Sequence, residues 1–552
     1  MVRKRSRVQF TLWAPKILWI IKMIKKNNLN LTIIFISTFF VGYFFSQVHL
    51  FEQRAVDAGL VLANIVNYPD DISPMREYFV KSWTSLHQIS KIFLNFNWSF
   101  ASVSKLIIFV TAILYFIGIF LTINSTTNSI FISILTAVMM LVFQKNFGDI
   151  DYPSLVFSEH TYGMISLAMV TCIFGLLFSG NFFFVGFCSS LLISIHPLVG
   201  IWISGIIIIS LILNKYYLKV VINKKKLIAG YAVGIFFTSI SLAYYFILTP
   251  EFNSYFDLES YNNYMKYWEG HRNEGEIHLE YLSKTLVLFI FCFLSLKVFS
   301  SNFTNDFKFG ILCVLISIIL SITFYLLYKS LLPNIPDFFI RFMPGRFAIL
   351  HSVIGWPIIL SILFIITKKF EGKYFIPSNF SYILFTFIIL SYSISHYKVF
   401  IKLQNLFINN NFKQIILTKE KKFWDTAKKM KFDGYILTSF SSSTISMRKT
   451  LKPIILDVSS LDFVPYFPNT AKNMSLIIEK IYGIPFNNPP ANIKNRPFLA
   501  DENIKNNFEN YSEDKWKMLS EKFNFHGIIV PTDWKIKLKA VTKGESFTLY
   551  II

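Results

Sequence analysis

Long apolar segments alternate with short polar ones along the chain, and this pattern predicts a mainly α, polytopic membrane protein. The apolar runs have about the length that helices need to cross a ~30 Å hydrocarbon core. We predict about eleven helices, at residues 31–51, 106–123, 129–143, 162–178, 182–195, 197–213, 227–248, 285–299, 309–328, 348–366 and 380–396. Pro197 leaves two interpretations open for residues 182–213: two crossings, or a kinked or re-entrant pair.

Residues 398–552 have a different pattern, which predicts a small α/β domain. Short apolar strands at 435–439, 453–456, 527–530 and 546–552 alternate with helices at 419–431, 470–482 and 512–523. Ser512 is expected to cap the last helix, and Gly483 to end the helix before it. The expected organisation is therefore a terminal segment at 1–30, a transmembrane domain at 31–397 and a C-terminal domain at 398–552.

Composition agrees with membrane insertion and excludes several other classes of protein. The 552 residues are 53% hydrophobic and only 16% charged, whereas soluble domains carry about 25% charged residues. A cytosolic enzyme, a disordered regulator and a disulfide-rich secreted domain are excluded. Neither a disulfide framework nor a zinc site is expected, because all four cysteines fall inside apolar runs. They are Cys172, Cys188, Cys292 and Cys313.

The net charge of +22 is better explained by membrane topology than by nucleic-acid binding. Residues 1–30 hold eight basic side chains and no acid, directly before the first apolar run. The positive-inside rule then makes this segment cytoplasmic, together with the basic loops 214–226 and 368–379. Loops 52–104, 249–284 and 329–346 face the other side, as does the C-terminal domain if there are eleven crossings. We expect a bacterial inner membrane with a periplasmic C-terminal domain.

Candidate catalytic and binding residues lie in the outward loops, close to helix ends. Asp57 follows the first predicted helix by about six residues. The other candidates are the secondary acids Asp149, Asp151 and Glu159, the donor-phosphate ligands His271, Arg272, Arg341 and Arg346, and two further histidines, His160 and His278. A carboxylate at this depth can act as a general base, and arginines can bind a lipid-linked phosphate bidentately. The simpler alternatives are a solvated loop acid for Asp57 and a snorkelling side chain for Arg346.

The layout resembles the GT-C superfamily of integral membrane glycosyltransferases, which use polyprenyl-phosphate sugars. Asp57 matches the catalytic carboxylate that these enzymes carry after helix one. The segment LLISIHPLVG at 191–200, His271-Arg272 and Arg346 are similar to segments of bacterial relatives, as are YFPNT at 466–470, IYGI at 481–484, HGIIVP at 526–531 and FTLY at 547–550. The resemblance implies sugar transfer to a periplasmic glycan or lipid acceptor, with the C-terminal domain helping to bind that acceptor.

The first loop departs from the better-known branches of that superfamily. It has neither the Asp-Glu pair of the protein mannosyltransferases nor the Asp-x-x-Asp of the oligosaccharyltransferase type. No tight carboxylate cluster is visible in the sequence, so we expect no divalent metal and no other cofactor. The lipid-linked sugar would be a substrate.

Three alternative functions stay open at the level of sequence. A polymerase or ligase of lipid-linked glycans would rely on the arginines and histidines without a carboxylate base. A transporter or flippase tends to carry ionisable residues or broken helices at mid-membrane, whereas the charges here lie at helix ends. A non-catalytic assembly protein could also use the polar loops and the C-terminal domain.

Overall fold

A computed structural model describes residues 29–47, 54–143, 161–250, 255–270, 279–331, 347, 349–372, 377–395, 420–431 and 433–552. The predicted residues Asp149, Asp151, Glu159, His160, His271, Arg272, His278, Arg341 and Arg346 lie outside these ranges, as does the basic segment before residue 29.

Every apolar run predicted to cross the membrane coincides with a helix. These helices are α1 (Leu29–Gln47), α5 (Phe100–Thr127), α6 (Ile130–Phe143), α7 (Thr161–Phe178), α8 (Phe182–Ile195), α9 (Pro197–Tyr216), α10 (Lys224–Leu248), α12 (Leu279–Val298), α13 (Asn305–Leu331), α15 (Gly355–Phe370) and α16 (Phe380–Ser395). Within the described ranges, α1, α5, α9, α10 and α13 are long and apolar enough to cross a membrane alone. The mainly helical architecture is confirmed, while eleven crossings stay a prediction.

His196 separates α8 from α9, and whether these two helices both cross the membrane stays a prediction. It follows the last residue of α8, and its extended backbone (φ −145°, ψ 91°) leads directly into Pro197 at the first position of α9. A proline at that position costs the helix no hydrogen bond, because the first amides of a helix have no partner within it. The chain is therefore broken into two helices with one residue between them.

The first and third of the loops predicted to face outward contain short helices that pack at one end of the apolar helices. The first loop contains α2 (Arg54–Leu62), α3 (Pro74–Lys81) and α4 (Ser85–Asn95), and the third contains α11 (Leu258–Tyr267). The first loop is bound to this end because Thr84 Oγ1 donates to the carbonyl of Ile195 at 2.9 Å and Tyr245 Oη donates to that of Lys81 at 3.0 Å. Helix α9 begins at this same end of the apolar helices and carries the chain about 30 Å to the basic loop 214–226.

The C-terminal domain is built on a four-stranded mixed sheet. Strands β1 (Tyr435–Thr438) and β2 (Phe525–Pro531) are parallel, and β4 (Phe547–Ile551) pairs antiparallel with β2 and with β3 (Ala540–Lys543). The helices of this domain are α17 (Lys421–Lys429), α18 (Ser443–Thr450), α19 (Ala471–Lys480), α20 (Lys505–Asn510) and α21 (Glu513–Phe523). One short helix of the membrane domain, α14 (Ile349–Ser352), precedes α15. The predicted strand 453–456 is reduced to one bridge, between Ile436 and Ile454.

Two hydrophobic cores organise the chain. One lies among the apolar helices. The other joins the first-loop helices, the nearby ends of α5 and α7, and the C-terminal domain. Trp268, next to α11, also donates through Nε1 to the carbonyl of Phe486 at 2.8 Å. The C-terminal domain therefore lies at the same end of the helices as the first and third loops.

Candidate functional site

Helix α2 carries two charged residues into the second core. Ala55 to Val61 are all buried, Asp57 among them, and Arg54 lies one turn before Asp57. A helix buried on all sides is expected to be apolar, because an isolated charge loses its hydration there. Both charges therefore need partners, and the C-terminal domain provides them.

Asp57 is bound by Arg448, which lies on α18 of the C-terminal domain. Arg448 Nε donates to Oδ1 of Asp57 at 2.6 Å, and Nη2 donates to Oδ2 at 2.7 Å. The Asp57 side chain is 2% exposed and that of Arg448 is 11% exposed. Two parallel N–H···O bonds make this the strong, bidentate form of an Arg–carboxylate pair.

Arg54 makes the reciprocal pair, with Asp457 of the C-terminal domain. Asp457 Oδ1 also accepts from the Ser459 amide at 3.0 Å and from Ser460 Oγ at 2.9 Å. Burial alone would lower the pKa of Arg54, but the acidic and phenolic groups around it, Asp457 foremost, together outweigh burial and raise the pKa above its ordinary value. Arg54, Asp57, Arg448 and Asp457, named here the ionic centre, therefore carry two positive and two negative groups.

Aromatic side chains surround the Arg54 end of the ionic centre. The Arg54 guanidinium lies 5.3 Å from the ring centroid of Phe463 and 6.0 Å from that of Tyr78. The rings of Tyr78 and Phe463 stack with parallel planes. Burial raises the pKa of Tyr78 to about 12, so its phenol stays protonated at neutral pH.

His87 on α4 is a buried, neutral imidazole near this region. Its Nε2 lies 2.6 Å from the Tyr162 hydroxyl at the start of α7. Burial lowers the pKa of His87 to about 3, despite the hydrogen bonds that its charged form would make with nearby backbone carbonyls. The contact connects the first loop to an apolar helix without adding charge.

The acids that follow in the first loop have structural contacts. Asp70 Oδ1 accepts from Tyr435 Oη at 2.6 Å and from the Ile72 amide at 2.9 Å, and Asp71 pairs with Arg76. The cap of α3 is Ser73, whose hydroxyl accepts from the Met75 amide at 3.3 Å. Asp70 therefore fixes the loop against the C-terminal domain, whereas the Asp71 side chain pairs within the loop.

The ionic centre lies beside the first residue of the long apolar helix α5. The Arg448 guanidinium is 4.8 Å from the ring centroid of Phe100, the first residue of that 28-residue helix. Helix α2 begins at Arg54, seven residues after Gln47, the last residue of α1.

Asp57 is the one predicted site residue that the structure describes, and the sequence analysis did not identify Arg54, Arg448 or Asp457. One sequence signal was available for Arg448. Ser443, Ser446, Met447 and Thr450 are spaced as one buried helix face, and Arg448 is next to that face. The described part of the chain contains no group of three or more His, Cys, Asp or Glu side chains that could hold a metal ion.

Comparison with solved structures identifies similar proteins. The oligosaccharyltransferase of Archaeoglobus fulgidus, tethered to an acceptor peptide, has a TM-score of 0.44 and 11% identity, over 92% of this chain and 69% of that chain. Its apo form gives 0.43 and 11% over 91% and 70%. Its complex with an inhibitory peptide and dolichol-phosphate gives 0.38 and 11% over 92% and 70%. No protein-family model and no curated protein matches the chain.

Proposed function

We propose that the chain is a membrane glycosyltransferase that moves a sugar from a polyprenyl-phosphate carrier to a periplasmic glycan or lipid. The observation that carries this proposal is the Asp57–Arg448 pair, in which both carboxylate oxygens are within 2.7 Å of guanidinium nitrogens. A carboxylate and a guanidinium are the two groups that this reaction needs. They lie together beside the start of α5.

In the proposed reaction, Asp57 is the general base. It takes the proton of an acceptor hydroxyl while the hydroxyl oxygen forms a bond to the anomeric carbon. The bond from that carbon to the phosphate oxygen breaks, and the electron pair leaves with the phosphate. A guanidinium stabilises the departing phosphate bidentately. His271, Arg272, Arg341 and Arg346 remain proposed donor ligands, and Asp149, Asp151 and Glu159 remain proposed secondary acids.

The setting in the membrane is part of the proposal. The basic N-terminal segment would be cytoplasmic in a bacterial inner membrane, and the C-terminal domain would be periplasmic. The contacts of that domain with the first and third loops support this arrangement, because they require all three to lie on one side. The polyprenyl chain would lie between helices and leave its sugar at the water boundary.

The test is sugar transfer by purified protein in nanodiscs, with Asp57→Asn compared with the wild type. General-base removal should lower transfer per folded molecule by about 10²-fold or more while membrane insertion is retained. Asp425→Asn, a change at an exposed acid of α17, is the matched control and should transfer normally. Unchanged turnover in Asp57→Asn would sink the assignment of the base.

A polymerase or ligase without a carboxylate base is the second candidate, and one observation favours it. Both Asp57 oxygens accept hydrogen bonds from Arg448, which is also the geometry of a purely structural ion pair. The two candidates differ in their response to Asp57→Asn and Arg346→Ala. The second candidate predicts that only the arginine change abolishes activity, whereas the glycosyltransferase requires both residues.

A further inference from the structure

We infer that the Arg448 guanidinium is a binding site for the phosphate group of a phosphate ester, and that the Asp57 carboxylate occupies this site until the phosphate arrives. The inference rests on the proposed function for the identity of the donor lipid. It adds a residue, Arg448, to which the sequence analysis gave no role. It also gives Asp57 a second role, as a competitor for the site.

The geometry of the pair carries the first step of the argument. Asp57 presents two oxygens to Nε and Nη2 of Arg448, at 2.6 and 2.7 Å. Two oxygens of a phosphate bind a guanidinium through the same pair of parallel hydrogen bonds. The carboxylate therefore marks a position where a phosphate fits the same donors.

The second step distinguishes Arg448 from Arg54. The partner of Arg54, Asp457, is bound within its own domain by the Ser459 amide and by Ser460 Oγ. The partner of Arg448 comes from the other domain, and the guanidinium lies 4.8 Å from the Phe100 ring at the start of α5. Both pairs join the first loop to the C-terminal domain, and Arg448 is the arginine whose guanidinium lies next to an apolar helix, at Phe100 of α5.

Electrostatics carry the third step. A buried guanidinium that loses its counter-charge is strongly unfavourable. An incoming phosphate that takes Nε and Nη2 of Arg448 replaces the Asp57 carboxylate on those donors, so the two anions compete. Removing the charge of Asp57 must then strengthen phosphate binding, whereas removing the guanidinium must weaken it.

The exchange has a consequence for catalysis. While Arg448 binds both Asp57 oxygens, the carboxylate is a poor general base, because accepting a proton would sacrifice a charge-assisted pair. Phosphate binding releases the carboxylate next to the donor. The base would therefore become available only when the donor is present.

The experiment measures binding of polyprenyl monophosphate to the full-length protein in nanodiscs, with neutral polyprenol and inorganic phosphate as parallel probes. Asp57→Asn should bind the lipid phosphate at least about tenfold more tightly than the wild type, because close charge pairs are coupled by 1.5 kcal/mol or more. Arg448→Lys keeps the charge but loses the bidentate fork, and it should bind about tenfold more weakly. The double variant Asp57→Asn/Arg448→Lys should lose the tighter binding of the lipid phosphate that is expected of Asp57→Asn alone.

The probes separate the sources of the phosphate. Tight binding of polyprenyl monophosphate but not of polyprenol or inorganic phosphate identifies a lipid phosphate, and equal binding of inorganic phosphate identifies the free ion. Unchanged or weaker binding in Asp57→Asn overturns the inference. If that variant does not fold, wild-type affinity in Arg448→Lys overturns it instead.

Binding and transfer are separate readouts, so the inference and the proposed function can fail independently. Phosphate binding that follows these variants in a protein without transfer activity would retain the site and reject the glycosyltransferase. Transfer that needs Asp57, without tighter binding in Asp57→Asn, would retain the enzyme and reject the exchange.

Discussion

The apolar helices and the junction with the C-terminal domain bury polar side chains in different ways. In the helices, several buried hydroxyls bond within their own helix: Thr111, Thr136 and Thr171 each donate to the carbonyl four residues earlier, at 2.8 Å. At the junction, Asp57 depends on Arg448, 391 residues away. These threonines are thus satisfied locally, whereas the Asp57–Arg448 pair forms only when both domains are in place.

The largest expected effect comes from removing one partner of a junction pair. Arg448→Ala leaves the Asp57 carboxylate buried without its bidentate donor, which should lower the free energy of unfolding by about 3–5 kcal/mol. Chemical unfolding in detergent measures this. Arg496→Ala, at an exposed arginine of the same domain, should stay within about 0.5 kcal/mol of the wild type. Equal losses of unfolding free energy in the two variants would show that the junction arginine stabilises the protein no more than an exposed one.

The next effect tests packing in the membrane domain, where shape rather than charge holds the helices together. A Cβ on Gly118 of α5 would lie 2.4 Å from the backbone carbonyl of Thr171 on α7. Gly118→Val should therefore lower the free energy of unfolding by about 1–3 kcal/mol, because backbone atoms cannot rotate away. Gly205→Val on α9, where a Cβ has nothing within 4 Å, is the control. A similar loss at both glycines would contradict the close approach.

Acidification should destabilise the packing of the first loop on α7 through His87. Its pKa is about 3 in the folded chain and about 6.5 when unfolded, so only the unfolded chain takes up a proton between these values. The stabilising contribution is complete above pH 6.5 and falls by about 1.4 kcal/mol per pH unit below it. Thermal unfolding at pH 7.5, 5.5 and 4.5 measures the slope. His87→Gln should flatten it, and an unchanged slope would exclude His87 as the source.

The smallest effect is local to the C-terminal domain. Ser512 Oγ accepts from the Lys515 amide at 3.2 Å and caps α21, so Ser512→Ala should cost about 1 kcal/mol. Ser512→Asp restores an acceptor and should recover most of that stability. Chemical unfolding of the two variants gives the comparison. No recovery with aspartate would show that the loss has another origin.

Local patterns were sufficient for most of the helices. The hydrophobic runs predicted α5, α8, α9 and α10 within a few residues, and the cap at Ser512 was predicted correctly. Such features depend on neighbours within one or two turns, which the sequence shows directly. The strand predicted at 453–456 was reduced to a single bridge, because strand pairing depends on segments that are distant along the chain.

The sequence predicted one partner of the Asp57–Arg448 pair and not the other, for the same physical reason. Asp57 stood out because its carboxylate follows an apolar run closely. Arg448 lies among polar residues of α18 and has no local feature that names its partner. The tertiary packing of α2 against the C-terminal domain decides which arginine pairs with which aspartate.

A double-mutant cycle on Asp57 and Arg448 is the most direct test that the first loop and the C-terminal domain share this ionic centre. The free energy of unfolding would be measured for Asp57→Asn, Arg448→Gln and the double variant in the full-length protein. Direct contact predicts a coupling energy of about 1–3 kcal/mol between the two changes. Single effects that add to within about 0.3–0.5 kcal/mol would show that the two residues do not interact and would contradict the account.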